Sequence, residues 1–176
     1  MSHSLQILDA PPTNLFWSAP LASDSDFTAE DPLALDYIGQ ARMFYTYAGE
    51  SEAAGRTEDD FAYRRPEHEY RNLLLVEQPH THIGDALVRQ FLFEAFYVHL
   101  LDALTRCSDE GLSVIAARSI KEVRYHLRHS RQWLIRLGDG TDESHRRAQT
   151  AVDALWRYTG ELCEADDVET ELVAMV

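Results

Sequence analysis

Residues 109–143, DEGLSVIAARSIKEVRYHLRHSRQWLIRLGDGTDE, contain the clearest structural signal in the chain. Apolar and small side chains recur at helical spacing, which predicts one long helix over about 109–137 with a single buried stripe. The stripe consists of Leu112, Ile115, Ala116, Val123, Leu127, Ser130, Leu134 and Leu137. Gly138-Asp139-Gly140 ends this helix, and Thr141 followed by two acids is typical of the N-cap and first turn of the next. The short loop makes the two helices antiparallel neighbours.

Helical patterns continue on both sides of this stretch. A second helix over about 84–107 is apolar nearly all round, so we expect it to be buried. A first helix begins at Asp31-Pro32, where a proline suits the first turn, and a fourth runs over about 142–165. A long connection at 52–83 separates the first helix from the second.

These helices predict an all-α protein without strands or internal repeats. The arrangement is an antiparallel four-helix bundle with one long crossover, as in ferritin-like proteins. We expect the bundle to span 31–168, after an irregular head at 1–30 that lacks any sustained period and before a short tail at 169–176.

The composition excludes several classes of function. The 176 residues carry a formal charge of −14, which argues against a protein that binds nucleic acid through its phosphate backbone. No apolar run approaches the ~20 residues that span a bilayer, so no membrane segment is predicted. The first residues lack the pattern of a signal peptide, and the widely separated Cys107 and Cys163 are typical of reduced thiols. These features together predict a cytoplasmic protein.

A bundle with one long crossover raises the question of a di-iron site. Such a site takes a Glu from each of two helices and a Glu-x-x-His motif from each of the other two. Glu94 falls inside the apolar stripe of the second helix, but its i+3 neighbour is Tyr97. Glu122 and His126 lie toward the edge of the third helix's core face, with i, i+4 spacing. Asp36 and Asp153, on the first and fourth helices, point away from the core.

The ligand pattern is therefore incomplete, and two interpretations of these residues remain. In the first, Glu94, Glu122 and His126 are vestigial metal-site positions. Glu94 is then a buried acid paired with an Arg, Tyr or His of a neighbouring helix, and Glu122 and His126 form an i, i+4 hydrogen-bonded pair. In the second, the same residues are unorthodox ligands of a working iron site. The first interpretation predicts no metal in this chain.

The third helix also carries a cationic stripe opposite its apolar one. Six cationic residues and one acid, Glu122, lie between 118 and 136, a net charge of +5. The cationic stripe is defined by Arg118, Lys121, Arg124, Arg128 and Arg131. It is either a solvated face paired with acids of the same chain or a docking face for an acidic partner or a phosphate group, such as that of a CoA thioester.

Several segments together resemble one family. They are DYIGQAR at 36–42, RNLLLVEQP at 71–79, IKEVRYHLR at 120–128, GDGTD at 138–142 and LWRYT at 155–159, continuing to Ala165-Asp166. Over roughly 33–168 the chain is similar to the phenylacetate-degradation C proteins, the structural C subunits of ring-1,2-phenylacetyl-CoA epoxidase. Members of that family have an additional N-terminal helix and continue beyond the position of Val176. The resemblance therefore implies a chain shortened at both ends, without the outer helices.

The resemblance implies a non-catalytic scaffold subunit in aerobic phenylacetate catabolism. In that family a related A subunit holds the di-iron centre, and a reductase subunit with FAD and an iron–sulfur cluster delivers electrons from NADPH. The implied partners are the A subunit and the other subunits of the complex, with phenylacetyl-CoA at the interface. The alternative function is a self-sufficient di-iron oxygenase or redox protein of the ferritin-like type.

Overall fold

The computed structural model describes residues 32–70, 72–79 and 81–164, and this part of the chain is all-helical, without a strand. Short 3-10 turns lie at Glu67–Glu69, Trp156–Tyr158 and Glu161–Cys163. The α-helices are α1 (Pro32–Glu52), α2 (Glu58–Ala62), α3 (Leu74–Glu77), α4 (Ile83–Leu104), α5 (Glu110–Gly138) and α6 (Asp142–Leu155). The all-α prediction is confirmed.

Four helices, α1, α4, α5 and α6, form the bundle, and the long α5 packs against each of the other three. Short loops reverse the chain between α4 and α5 and between α5 and α6, so these neighbours are antiparallel. α1 also runs antiparallel to α5, since Asp36 and Gln40 of α1 contact His126 and Glu122 of α5 respectively. Consequently α1 and α4 are parallel, which requires the long crossover that the sequence predicts.

Side-chain caps fix the beginnings of the helices. Asp109 accepts a hydrogen bond from the backbone of Leu112 at the start of α5, and Thr141 accepts one from Ser144 at the start of α6. Gly55, with φ of +79°, lies in the turn after α1, a conformation that favours glycine.

The predicted fourth helix was too long. α6 ends at Leu155, and the 3-10 turns at Trp156–Tyr158 and Glu161–Cys163 take the place of the predicted helical continuation within the described residues. The Thr159 hydroxyl donates to the carbonyl of Trp156 at 2.8 Å, and Gly160 follows. Both residues are weak helix formers, and a threonine hydroxyl competes for backbone groups. The predicted head at 1–30, the tail at 169–176 and the last predicted bundle residues lie outside the described residues.

The core is continuous between the bundle and the crossover. Phe61 of α2 and Leu75 and Val76 of α3 are buried against the bundle, which explains the apolar run in the connection. α4 is buried along most of its length, as predicted. Among the described residues, no helix is both long and apolar enough to cross a membrane. Cys107 and Cys163 are both free thiols.

Candidate functional site

Glu94 is the centre of a polar network inside the bundle, and its side chain is fully buried. Tyr37 of α1 donates to its Oε1 at 2.6 Å, and Gln90, one turn earlier on α4, donates to the same atom at 2.9 Å. Ser130 of α5 donates to Oε2 at 2.7 Å. Three helices thus satisfy both carboxyl oxygens. The prediction that Glu94 is a buried acid paired with a neighbouring helix is confirmed.

Burial controls the protonation of Glu94. Removal from water raises its pKa to about 7, although the hydrogen bonds from Tyr37, Ser130 and Gln90 act in the opposite direction. The pKa of Tyr37 is also raised, by burial first and then by the neighbouring Glu94. Tyr37 therefore remains a hydrogen-bond donor to Glu94 at neutral pH.

His126 extends the network toward α1, and its side chain is fully buried too. Its Nε2 lies 2.9 Å from Asp36 Oδ2, and its Nδ1 lies 3.9 Å from Glu94 Oε1 without a hydrogen-bond partner among the described residues. Desolvation lowers the pKa of His126, while the bond to Asp36 opposes this effect. Burial thus holds both His126 and Glu94 toward their uncharged forms.

Two predictions about these side chains were wrong. Asp36, predicted to point away from the core, reaches over the edge of α1 to His126 while 39% of its side chain remains exposed. Glu122, predicted to pair with His126, instead accepts a hydrogen bond from Gln40 Nε2 at 2.9 Å. Angles around one helix locate each side chain on that helix, whereas the register between α1 and α5 determines which residues face each other.

The network does not fit a di-iron centre. The i+3 neighbour of Glu94 is Tyr97, and that of Glu122 is Tyr125, so the histidines of the ferritin-like pattern are absent. Both oxygens of Glu94 already accept protein hydrogen bonds. In the described part of the chain, no group of three or more His, Cys, Asp or Glu side chains is arranged to hold a metal ion. The network can instead retain a proton on a buried carboxyl and join three helices.

The cationic stripe lies on the opposite, outer side of α5, and all five of its side chains are exposed. Arg124 lies 3.6 Å from an oxygen of Asp102. No ion pair links Arg118, Lys121, Arg128 or Arg131 to an acid among residues 32–70, 72–79 and 81–164. Within the described residues, therefore, pairing with an acid of the same chain is seen for Arg124 and not for the other four.

Sequence reasoning missed several members of the network. Tyr37 was not among the predicted site residues, and Ser130 was predicted only as a member of the apolar stripe of α5. One feature of the sequence could have revealed the contact between Ser130 and Glu94. Each is a polar residue within an apolar stripe, and the two stripes belong to helices that pack together in the predicted bundle. Gln40 carried no comparable signal, because an amide on a helix is usually exposed.

Two comparisons with known proteins each match most of the chain. A family profile described as "Phenylacetic acid catabolic protein" matches residues 4–176. The C subunit of the 1,2-phenylacetyl-CoA epoxidase of Escherichia coli (strain K12) is 46% identical over 140 residues, covering 80% of this chain and 56% of the relative. The chain thus spans somewhat more than half the length of that relative.

Proposed function

Because the chain belongs to the phenylacetic acid catabolic protein family, we propose that it is the structural C subunit of a ring-1,2-phenylacetyl-CoA epoxidase. In this role it pairs with a catalytic A subunit in the cytoplasm and contributes to phenylacetate catabolism without performing the chemistry itself. The A subunit holds the di-iron centre, and a reductase subunit with FAD and an iron–sulfur cluster supplies electrons from NADPH.

The state of Glu94 is the observation that supports a structural role most directly. A carboxylate that bridges two metal ions uses a lone pair of each oxygen, whereas here Tyr37 and Gln90 together occupy both lone pairs of Oε1, and Ser130 donates to Oε2. The network instead fastens α1 and α5 to α4 at the centre of the bundle. A scaffold subunit needs this rigidity, because a partner can be oriented only by a surface that does not move.

The test is to co-express the chain with the A subunit of the same organism and to measure both complex formation and iron. We expect a stable pair that elutes together at micromolar concentration, and near zero iron per chain when this chain is purified alone from iron-replete cells. Separate elution would contradict the proposed pairing.

Iron content also separates the proposal from the alternative of a self-sufficient di-iron protein. About two irons per chain would support the alternative, since a di-iron site holds two. Glu94→Ala should leave the iron content unchanged if Glu94 is structural. A loss of iron in that variant would assign Glu94 as a ligand and overturn the structural role.

We further propose that the cationic stripe is a docking surface, for a partner subunit or for the phosphates of phenylacetyl-CoA at the interface. The five exposed cations, of which Arg124 alone pairs with an acid in the part of the chain that the structure describes, support this role, because a surface of one sign attracts ligands of the other. The double variant Arg124→Ser, Arg128→Ser should weaken binding of a CoA ester in calorimetry if the stripe holds phosphate. An unchanged affinity would leave docking of a protein as its role.

A further inference from the structure

Three ring side chains form an exposed ladder along α5, adjacent to the cationic stripe. Tyr125, His129 and Trp133 are spaced one turn apart, with ring centroids 6.4 Å apart for the first pair and 6.3 Å for the second. Trp133 Nε1 donates to His129 Nε2 at 3.0 Å, which joins the second and third rings. Tyr125 is 51% exposed and Trp133 41%. The ladder is about 12 Å long at the helical rise of ~1.5 Å per residue.

An arginine lies close to the ring at each end of the ladder. The guanidinium carbon of Arg128 lies 5.7 Å from the centroid of Tyr125, and that of Arg136 lies 5.2 Å from the centroid of Trp133. These are cation–π distances, so the arginines have preferred positions before any partner arrives. A side chain that is already ordered loses less entropy on binding.

We propose that this ladder, with Arg128 and Arg136, is the centre of the surface that docks the A subunit. The inference rests on the proposed function and deepens it by naming the face and the chemistry of its partner. Tyr, Trp and Arg are the residues that dominate binding energy at protein interfaces. The facing surface of the A subunit should therefore present an apolar centre surrounded by Asp and Glu.

A protein fits this surface better than the other occupants. A CoA ester would place its phosphates on the arginines and stack its adenine on one ring, which covers only part of a three-ring ladder about 12 Å long. A symmetric dimer of this chain would place two copies of α5 face to face, and each carries a net charge of +5 between 118 and 136. Like charges at an interface suppress association. An acidic protein surface satisfies both the cations and the rings.

The test measures the affinity of the A subunit for four variants of the full chain. Trp133→Ala and Arg128→Glu should each weaken binding at least tenfold, as expected for central interface residues. Trp156→Ala and Arg157→Glu are matched controls, because both residues are exposed but lie beyond α6, away from the ladder. The controls should bind like the wild type. Circular dichroism of each variant confirms that the helices remain folded.

The outcomes separate this inference from the proposed function. If the wild-type pair does not form, both fail. If the pair forms but Trp133→Ala and Arg128→Glu bind normally, only this surface is wrong. A surface Asp or Glu of the A subunit, changed to Arg, should restore binding of Arg128→Glu, which a merely structural effect could not do. Binding that becomes at least tenfold tighter when residues 2–30 are deleted, or dimerisation of the chain through the ladder, would assign the surface to another occupant and overturn the proposal.

Discussion

Glu94 shows how a buried ionisable residue is accommodated. An unpaired carboxylate in an apolar interior is costly, and the group responds by retaining its proton and by collecting hydrogen bonds. Here both responses occur: the pKa is raised to about 7, and three side chains donate to the carboxyl. Because the folded and unfolded states release the Glu94 proton at different pH, the free energy of unfolding depends on pH.

We expect Glu94→Gln to become more stable relative to the wild type as pH rises from about 4.5 to about 7. In this window the folded protein keeps the Glu94 proton, whereas the unfolded chain loses it near the ordinary value of 4.5. The folded state then binds more protons, so the wild-type free energy of unfolding falls as pH rises. The relative gain should reach roughly 3 kcal/mol, measured by urea unfolding at several pH values.

The control for this experiment is Glu77→Gln, the same exchange at an exposed residue of α3, which shows how much of the effect comes from the substitution itself and how much from burial. A flat difference for Glu94→Gln over the same range would show that the Glu94 carboxyl ionises normally in the folded protein.

His126 provides a second test at the level of single residues. Burial lowers the pKa of His126, and Asp36 is the strongest group opposing that shift, ahead of Glu122. Asp36→Asn should therefore lower the pKa of His126 further, and Glu122→Gln should lower it by less. Proton NMR of the imidazole ring across pH 4 to 8 measures both shifts. The reverse order would mean that the Asp36 contact is not formed in solution.

The limits of sequence reasoning are clearest for these residues. The burial of Glu94 could be predicted, because it depends only on the apolar stripe of its own helix. The pairing of His126 with Asp36 and of Glu122 with Gln40 could not, because both pairs depend on how far α1 slides along α5. A shift of one turn, about 5 Å, would exchange all of these contacts.

At the scale of the elements, two glycines in α1 and α5 have contrasting surroundings. Gly111, in the first turn of α5, lies directly against the ring of Tyr47, so an added Cβ would overlap that ring. The Tyr47 hydroxyl also donates to Asp109, the N-cap of α5. Gly39, within α1, is exposed and has no atom close to the position of a Cβ.

We expect the same substitution to have opposite effects at these two positions. Gly111→Ala should destabilise the fold by about 1–3 kcal/mol, since the Tyr47 ring must move and its bond to the α5 cap is disturbed. Gly39→Ala should stabilise it by about 0.5–1 kcal/mol through helix propensity alone. Thermal unfolding of the two variants checks this, and equal effects would contradict the close packing at Gly111.

The ends of the elements were less predictable than their existence. Caps such as Asp109 and Thr141 involve neighbours in sequence, so the starts of α5 and α6 could be predicted to within about one residue. The end of α6 depends on the balance between a helical continuation and the local bond of Thr159 to Trp156. Apolar periodicity alone does not measure that balance.

At the scale of the whole molecule, charge is unevenly distributed. A chain of −14 carries a segment of +5 on the outer side of one helix. Such an arrangement orients an acidic partner during approach and repels cationic ones. The effect acts on the rate of association more than on the lifetime of the complex.

We therefore expect association with the A subunit to slow by at least about tenfold between 0.05 and 0.5 M salt, because screening shortens the range of the attraction. Stopped-flow mixing measures this rate. Arg131→Glu, on the stripe but roughly 120–160° around α5 from the ladder residues, should flatten the salt dependence and leave the dissociation rate close to that of the wild type. A salt-independent rate would show that the cationic stripe does not guide docking.

The central position of α4 also governs how the folded molecule opens. α4 packs against α3, α5 and α6, and the Tyr37–Glu94 bond attaches α1 to it as well. Backbone amide hydrogens in the middle of α4 can thus reach solvent only when the whole bundle comes apart. Those of the short α2, which has five residues and only Phe61 buried, need no more than a local fluctuation. In deuterium exchange we therefore expect the slowest α4 amides to report the free energy of global unfolding. The exchange times of this one helix then measure the stability of the whole fold.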